Sequence, residues 1–270
     1  MTFADAKQRF SNRVADYLHY RPGYPSAIRD LLRSECGLRP GHLIADIGSG
    51  TGFLSELFLK NGNRVLCVEP NEEMRRAGEE YLASYDGFAS INGSAESTTL
   101  DGGSVDFVAA GQAFHWFDQD VARREFLRIL KPAGWAVVIW NERLTDTTPF
   151  LRDYESLLRN FGADYARVSE SYPREEQMRA FFGLNPCASR THPNSQEFDF
   201  DGLAGRLRSS SYMPSSGDPN FAPMLTEAQR IFVAHNQLGR VRLEYSTRVY
   251  FGRLNPKLDS PAATPDWNLA

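Results

Sequence analysis

Apolar residues in the first half of the chain fall into short unbroken runs separated by amphipathic stretches. The runs at 42–46 (HLIAD), 64–69 (RVLCVE), 105–110 (VDFVAA) and 135–140 (WAVVIW) have the length and continuous hydrophobicity of strands covered on both faces. A weaker run lies at 88–92. Between the first two runs, Leu54, Leu57 and Phe58 share one face of a predicted helix over 53–60. The spacing predicts a second helix over 71–82, with Asn71 as its cap and Glu72 and Glu73 in the first turn, where the helix dipole favours acids. A third, over 118–130, runs into Lys131, Pro132, Ala133 and Gly134, which read as its end. Strands that alternate with helices predict right-handed βαβ units and a parallel sheet.

From about Thr145 the alternation stops. Residues 149–161 and 172–182 read as amphipathic helices, and 185–194 as a loop. Residues 195–201 (SQEFDFD) alternate like a strand, 203–208 form a short helix, 209–223 are a Ser-, Pro- and Gly-rich connection, and 224–238 are helical. Residues 240–253 then alternate strictly. Val241, Leu243, Tyr245, Thr247, Val249 and Phe251 take one face, while Arg242, Glu244, Ser246, Arg248 and Tyr250 take the other. A period of two predicts a half-exposed, antiparallel strand at a sheet edge. The tail after Leu254 is Pro-rich and expected to be loose. The fold class predicted is α/β: a Rossmann-like, doubly wound, seven-stranded sheet, mostly parallel with an antiparallel last strand, plus a helical insertion. It is read as one domain, with an N-terminal lid segment over 1–40, a core over 41–144, a helical insertion over 145–194, sheet completion over 195–254 and a tail over 255–270.

Composition narrows this little. Of 270 residues, 41% are hydrophobic and 24% charged, as in an ordinary folded protein. Acidic residues number 34 and basic residues 30, a net charge of −4, so no dominant nucleic-acid-binding surface is expected. An anionic substrate would have to be met by local arginine, with Arg21 and Arg143 as candidates. Cys36, Cys67 and Cys187 are far apart and odd in number, so neither a disulfide framework nor a CxxC site is expected. His19, His42, His192 and His235 show no ligand spacing, and no metal site is expected. The first residues are polar, with no signal-peptide core, and no apolar run approaches the roughly 20 residues of a membrane span. The expectation is a cytoplasmic protein.

The chemistry concentrates at Asp46, Gly48, Ser49, Gly50, Thr51 and Gly52, after a strand and before a helix. Glycines permit a tight turn and let a ligand approach the backbone. Glu69 ends the next strand, and in a parallel sheet it faces the same crevice, where a carboxylate can accept two hydrogen bonds from a ribose diol. Two nucleoside cofactors suit such a crevice. NAD sites favour G-x-G-x-x-G/A, whereas here the spacing is G-x-G-x-G and Phe53 holds the last position. Asp46 also suits an ammonium better than a pyrophosphate.

On these residues the sequence resembles the class I S-adenosylmethionine-dependent methyltransferases. The matching segments are IADIGSGTG (44–52), VLCVEPNEEM (65–74), INGSAES (91–97), SVDFVAAGQAFHWFD (104–118) and LRILKPAGWAVVIWNE (127–142), in the family's order. Within that family, YLHYRPGYP (17–25) and AFHWFD (113–118) are similar to a type-11-like group that includes the trans-aconitate methyltransferases. The resemblance implies S-adenosyl-L-methionine as cofactor and S-adenosyl-L-homocysteine as product. It implies that Asp46 and the loop of Gly48, Ser49, Gly50, Gly52 and Phe53 hold the methionine end, and that Glu69 holds the ribose hydroxyls. Pro70, Asn71 and Met74 would flank ribose and adenine, while Ser94, Ala95 and Glu96 would meet the adenine edge. Ser94 stands where many relatives carry Asp. Gln112, Ala113 and His115 would line the crevice near the sulfonium. Tyr17, Tyr20 and Arg21 fall where relatives fold a segment over the cofactor. Tyr17 and Arg21 are counted with the cofactor, and Tyr20, Trp116, Trp140, Arg143 and Tyr212 with the substrate.

His115 is the candidate catalytic residue, as a base or as an orienting group. The acceptor expected is a small molecule, methylated by direct in-line transfer, with no nucleic-acid or membrane partner and a monomeric or homodimeric state. The alternatives are a protein methyltransferase, a non-catalytic cofactor-binding module and an NAD-dependent oxidoreductase.

Overall fold

In a computed structural model of the protein, residues 18–163, 165, 174–183 and 185–255 are described. Tyr17 and the expected loose tail from 256 onward lie outside them. The first half alternates as its apolar pattern predicts: α1 (Ala27–Cys36), β1 (Leu43–Ile47), α2 (Phe53–Leu59), β2 (Arg64–Val68), α3 (Glu72–Tyr81), β3 (Phe88–Ile91), β4 (Val105–Gly111), α4 (Gln119–Ile129) and β5 (Leu130–Arg143). The second half contains α5 (Pro149–Phe161), α6 (Glu175–Phe182), β6 (Cys187–Phe198), α7 (Phe200–Arg208), α8 (Phe221–His235) and β7 (Val241–Gly252).

Local chemistry explains the helix starts. Asn71 Oδ1 accepts from the N–H groups of Glu73 and Met74 at 3.0 and 3.1 Å. Asp118 caps α4 through Val121 N, and Thr148 caps α5 through Leu151 N, with Pro149 at the first helical position. Among the described residues no helix is long and apolar enough to cross a membrane.

The strands form one sheet in the order β3-β2-β1-β4-β5-β7-β6. The five β1–β5 strands are parallel, and β7 runs antiparallel to both of its neighbours. Alternate strand residues feed two cores. On one face Ile44, Val65, Phe107, Val137 and Ile139 meet Ile28 and Leu32 of α1 and Leu54 and Phe58 of α2. On the other, Ala45, Val108, Ala136 and Val138 meet Phe126 and Ile129 of α4 and Phe181 and Phe182 of α6. A third core joins α5, α7 and α8 to Val241, Leu243 and Tyr245 at the start of β7. These helices form a cap at the end of the sheet where β1 and β4 finish.

The structure departs from the sequence pattern in three places. Residues 187–194, expected as loop and as the end of a helical insertion, belong to β6, which pairs with β7 from Cys187–Gly252 to Phe198–Val241. Its residues are small, polar or charged, and it includes Pro193, so no hydrophobic alternation marks it. That composition suits an edge strand, whose outer backbone groups face water and whose prolines and charges discourage further pairing. Consequently β7 is not the edge: it lies between β5 and β6, and both its faces are largely covered. The strand expected to run to Asp201 stops at Phe198, because Asp199 accepts from Gly202 N at 2.8 Å and starts α7. Finally, β5 begins at Leu130 rather than Trp135. Its register steps from Val105–Leu130 to Phe107–Trp135, so Lys131, Pro132, Ala133 and Gly134 bulge from a strand instead of ending a helix.

Candidate active site

A crevice opens beyond the carboxyl ends of β1 and β4, where the strand order reverses. Its floor is the turn after β1. Gly48 N and Ser49 N both donate to Val68 O, at 2.8 and 3.2 Å, which ties the turn to β2. Gly48, Gly50 and Gly52 have φ of 66°, 56° and 91°. At Gly48 the reason for glycine is double: besides the left-handed backbone, a Cβ there would stand 2.7 Å from Ala113 Cβ. The glycine turn and the residues after β4 therefore meet across the crevice.

Glu69 follows β2 and is 8% exposed. One carboxylate oxygen accepts from Gly50 N at 2.9 Å and the other from Asn71 N at 2.8 Å. Glu69 thus clamps the turn to the start of α3. A carboxylate has about four acceptor positions, so two are left for a ligand. Burial raises its pKa, against the two N–H groups that favour the charged form. Pro70, Asn71 and Met74 continue the same wall.

Asp46, at the end of β1, is fully buried. Its Oδ2 accepts from Ser55 Oγ at 2.6 Å, and Ser55 Oγ in turn accepts from Cys67 Sγ at 3.0 Å. Its Oδ1 is buried without a hydrogen-bond partner, as is Thr51 Oγ1 in the same wall. Burial pushes the Asp46 carboxyl up to about 7, opposed by the Ser55 hydroxyl and reinforced by the charge of Glu69. An unsatisfied buried carboxylate oxygen is costly and calls for a donor.

The opposite wall follows β4. Gln112 has φ of 56°, unusual for a side chain this large. Its amide is paired with the backbone of Asn141 on β5: Asn141 N donates to Oε1 at 2.8 Å. Ala113, Trp116 and Phe117 complete this wall, and Ala95 closes the side beyond β2 and β3.

Most of the sequence-predicted cofactor residues therefore come together in one crevice: Asp46, Gly48, Ser49, Gly50, Phe53, Glu69, Pro70, Asn71, Met74, Ala95, Gln112 and Ala113, with Trp116 from the substrate group. Others lie elsewhere. Ser94 Oγ accepts from Glu96 N at 3.3 Å in a local turn, and the Glu96 carboxylate accepts from Asp118 N at 2.9 Å, 22 residues on, at the start of α4. Gly52 supports the turn from behind, its α-carbon turned toward Leu82. Arg21 donates to Ser209 O at 2.8 Å in the cap. Tyr17 lies outside the described residues. Trp140 is buried on β5 against His115, with ring centres 5.1 Å apart. His115 packs between Trp116 and Trp140 rather than in the crevice wall; its Nδ1 is buried without a partner, and burial lowers its pKa to about 4.

Arg143 is not presented to the crevice. It pairs with Glu155, donates to Tyr165 Oη at 2.8 Å, and lies 5.2 Å from the centre of the Tyr154 ring. Tyr20 and Tyr212 also join the cap. Sequence reasoning missed Tyr24, Leu54 and Gly111 in the wall. Tyr24 lies in the aromatic segment already singled out, four residues past Tyr20, and Gly111 follows the fourth apolar run. A Cβ at Gly111 would stand 2.3 Å from the Tyr24 hydroxyl, so glycine there makes room for the phenol.

Comparison with known proteins agrees with this geometry. Residues 45–138 match the family described as a methyltransferase domain. An uncharacterized methyltransferase-like protein of Schizosaccharomyces pombe is 33% identical over 252 residues, covering 92% of this chain and 96% of its own. The chain belongs to the class I S-adenosylmethionine-dependent methyltransferases. An uncharacterized methyltransferase of Mycobacterium tuberculosis is 34% identical over 139 residues, covering 52% of this chain and 54% of its own. Among solved structures, a candidate type II methyltransferase from Anaeromyxobacter dehalogenans shares the fold, with a TM-score of 0.66, 22% identity, and coverage of 88% of this chain and 99% of that one. The oxidoreductase alternative falls with this assignment. In the methyltransferase fold the crevice fits the cofactor's chemistry: Asp46 Oδ1 lacks a donor that an ammonium would supply, and Glu69 has acceptor positions to spare.

Proposed function

We propose that this methyltransferase binds S-adenosylmethionine in the crevice and transfers its methyl group in line to a small-molecule acceptor. The observation that carries the reading is the unpartnered Oδ1 of Asp46, set across the glycine turn from the half-used carboxylate of Glu69. Asp46 would hold the ammonium of the methionine end and Glu69 the ribose hydroxyls. Pro70, Asn71, Met74 and Ala95 would enclose the purine side. When bound, the cofactor supplies a methyl group on a cationic sulfur that is already activated toward displacement. What remains for the protein is alignment and exclusion of water. Tyr24 and Gly111 narrow one side of the crevice, and Trp116 and Phe117 line the other with aromatic faces, which favour a nearby cation.

His115 has no proton-transfer role in this reading. Burial lowers its pKa to about 4, which makes it a weak base, and it packs behind the wall. The net charge of −4 also favours a small acceptor over RNA. Titration calorimetry with S-adenosylmethionine and S-adenosylhomocysteine tests the binding half. A labelled-methyl screen over metabolite pools, with products identified by mass spectrometry, tests the acceptor half. Binding of neither ligand sinks the site assignment, and label that enters only protein sinks the small-molecule acceptor.

A further inference from the structure

Asp46 is held from behind. Its register partner on β2 is Cys67, and Ser55 of α2 stands between the two side chains. The Cys67 thiol donates to Ser55 Oγ at 3.0 Å, and the Ser55 hydroxyl donates to Asp46 Oδ2 at 2.6 Å. All three side chains are buried, Asp46 and Ser55 completely. Asp46 lines the crevice, whereas Ser55 and Cys67 do not. A ligand therefore meets this chain of hydrogen bonds only at its last member.

The chain runs in one direction. Burial raises the Cys67 thiol well above its ordinary range, so it keeps its hydrogen and acts as a donor. A hydroxyl has one hydrogen and two lone pairs. With the thiol on a lone pair, Ser55 gives its hydrogen to Oδ2. A proton on Oδ2 would turn that hydroxyl away and leave its hydrogen buried without an acceptor, which costs free energy. The carboxyl's own proton is therefore confined to Oδ1, the oxygen that has no partner. The other groups around Asp46 do not replace the relay. Glu69 and Cys67, both on the β2 side, act on its charge only to oppose ionisation or through Ser55. From β4 its register partner is the apolar Ala109. Ser55 supplies the hydrogen bonds that favour the ionised form, and no cation among the described residues does so.

We propose that Ser55 and Cys67 are positioning residues of cofactor binding: their relay holds Oδ2 of Asp46 and leaves Oδ1 as the one atom at which the ligand's ammonium replaces the carboxyl's proton. The displaced proton leaves to solvent. This rests on the reading of the crevice as an S-adenosylmethionine site, and it gives that site a buried support that touches no ligand.

The test uses the full chain and two ligands. S-adenosylhomocysteine carries the ammonium, and methylthioadenosine keeps the nucleoside and lacks it. Both are titrated by calorimetry from about pH 5.5 to about pH 8.5, in buffers of different ionisation enthalpy. The wild type is expected to release close to one proton per S-adenosylhomocysteine bound below about pH 7. Ser55→Ala removes the donor to Oδ2, and the midpoint of proton release is expected to rise by about one pH unit or more. S-adenosylhomocysteine affinity then falls about tenfold below the wild-type midpoint and returns to the wild-type value above the raised one. Methylthioadenosine affinity is expected to be the same in both proteins at every pH. Cys67→Ala is expected to move the midpoint the same way by less, and Cys67→Ser, which keeps a donor, to restore it; this pair decides the matter if Ser55→Ala does not fold. A midpoint that stays or falls in the alanine variants overturns the proposal. So does an affinity loss that is equal at all pH values or shared by methylthioadenosine, which is what a purely structural role gives. A wild type that binds S-adenosylhomocysteine without releasing a proton overturns it while leaving the crevice reading intact. A wild type that does not bind S-adenosylhomocysteine sinks the crevice reading itself, so the two failures are told apart.

Discussion

In the crevice, Asp46 and Glu69 are buried carboxylates whose hydrogen-bond donors are all neutral: Ser55 Oγ for one, Gly50 N and Asn71 N for the other. In the cap, Glu155 is a buried carboxylate bonded to Arg143, Arg159 and Tyr165. The first pair is held above the usual carboxylate range by burial. Glu155 is held below it, because Tyr165 and Arg143 outweigh the burial that pushes the other way. The difference teaches where a ligand's charge belongs. The crevice carries buried carboxylates with acceptor positions left open for a ligand's donors. The cap has settled its acid from within. A buried acceptor position that the protein leaves open marks a contact the ligand makes.

The hardest test of this contrast is Glu155→Ala. It strands Arg143 without its buried partner, and a loss of about 3–5 kcal/mol in unfolding free energy is expected from urea denaturation. A change under about 1 kcal/mol would mean that the cap does not depend on the pair. Next is Glu69→Ala, which removes both bonds of the clamp. It also removes the acceptor proposed for the two ribose hydroxyls, and hydrogen bonds to a charged group contribute about 1.5–3 kcal/mol each, so S-adenosylmethionine affinity should fall by about a hundredfold or more in calorimetry. Gly48→Ala sets a Cβ 2.7 Å from Ala113 Cβ on a left-handed backbone; a stability loss of about 1–3 kcal/mol and weaker cofactor binding are expected.

A pH series sharpens the contrast further. The Asp46 carboxyl is raised from 3.8 to about 7 in the ligand-free protein. Its contribution to stability is therefore fully present below 3.8 and is lost as pH rises through about 7. An ammonium ligand needs the ionised form, so binding must expel a proton when the pH is below about 7. Affinity should weaken by up to about tenfold per pH unit there, with proton release visible in buffers of different ionisation enthalpy. Affinity that is flat from about pH 5 to pH 8 would detach Asp46 from the ligand. The smallest effect expected is at His115. With its pKa near 4, His115→Phe should leave the pH–rate profile between about pH 5 and pH 8 unchanged. A lost inflection would restore His115 as a base.

The crevice was legible because its residues sit at the ends of consecutive apolar runs. Once five strands are read as parallel, their carboxyl ends share one side of the sheet, and Asp46, Glu69 and Gln112 must converge. Where that reading missed, a side chain was used by its neighbours. Glu96 lies outside the crevice wall, and its carboxylate accepts from Asp118 N at the start of α4. Arg143 looked like an anion site, but Glu155, twelve residues on, takes its charge.

The sequence by itself determined the βα order, the glycine turn and the place of Glu69 at the end of the second apolar run, because period, capping and positive φ are local properties. Only the tertiary structure decided that β6 exists and that β7 lies inside the sheet, because edge pairing is a backbone matter that leaves no hydrophobic period. It also decided which charges are neutralised. Arg21 meets Ser209 across 188 residues and Asn141 meets Gly23 across 118, and whether a buried ion has a partner depends on contacts of that kind, which no spacing along the chain encodes.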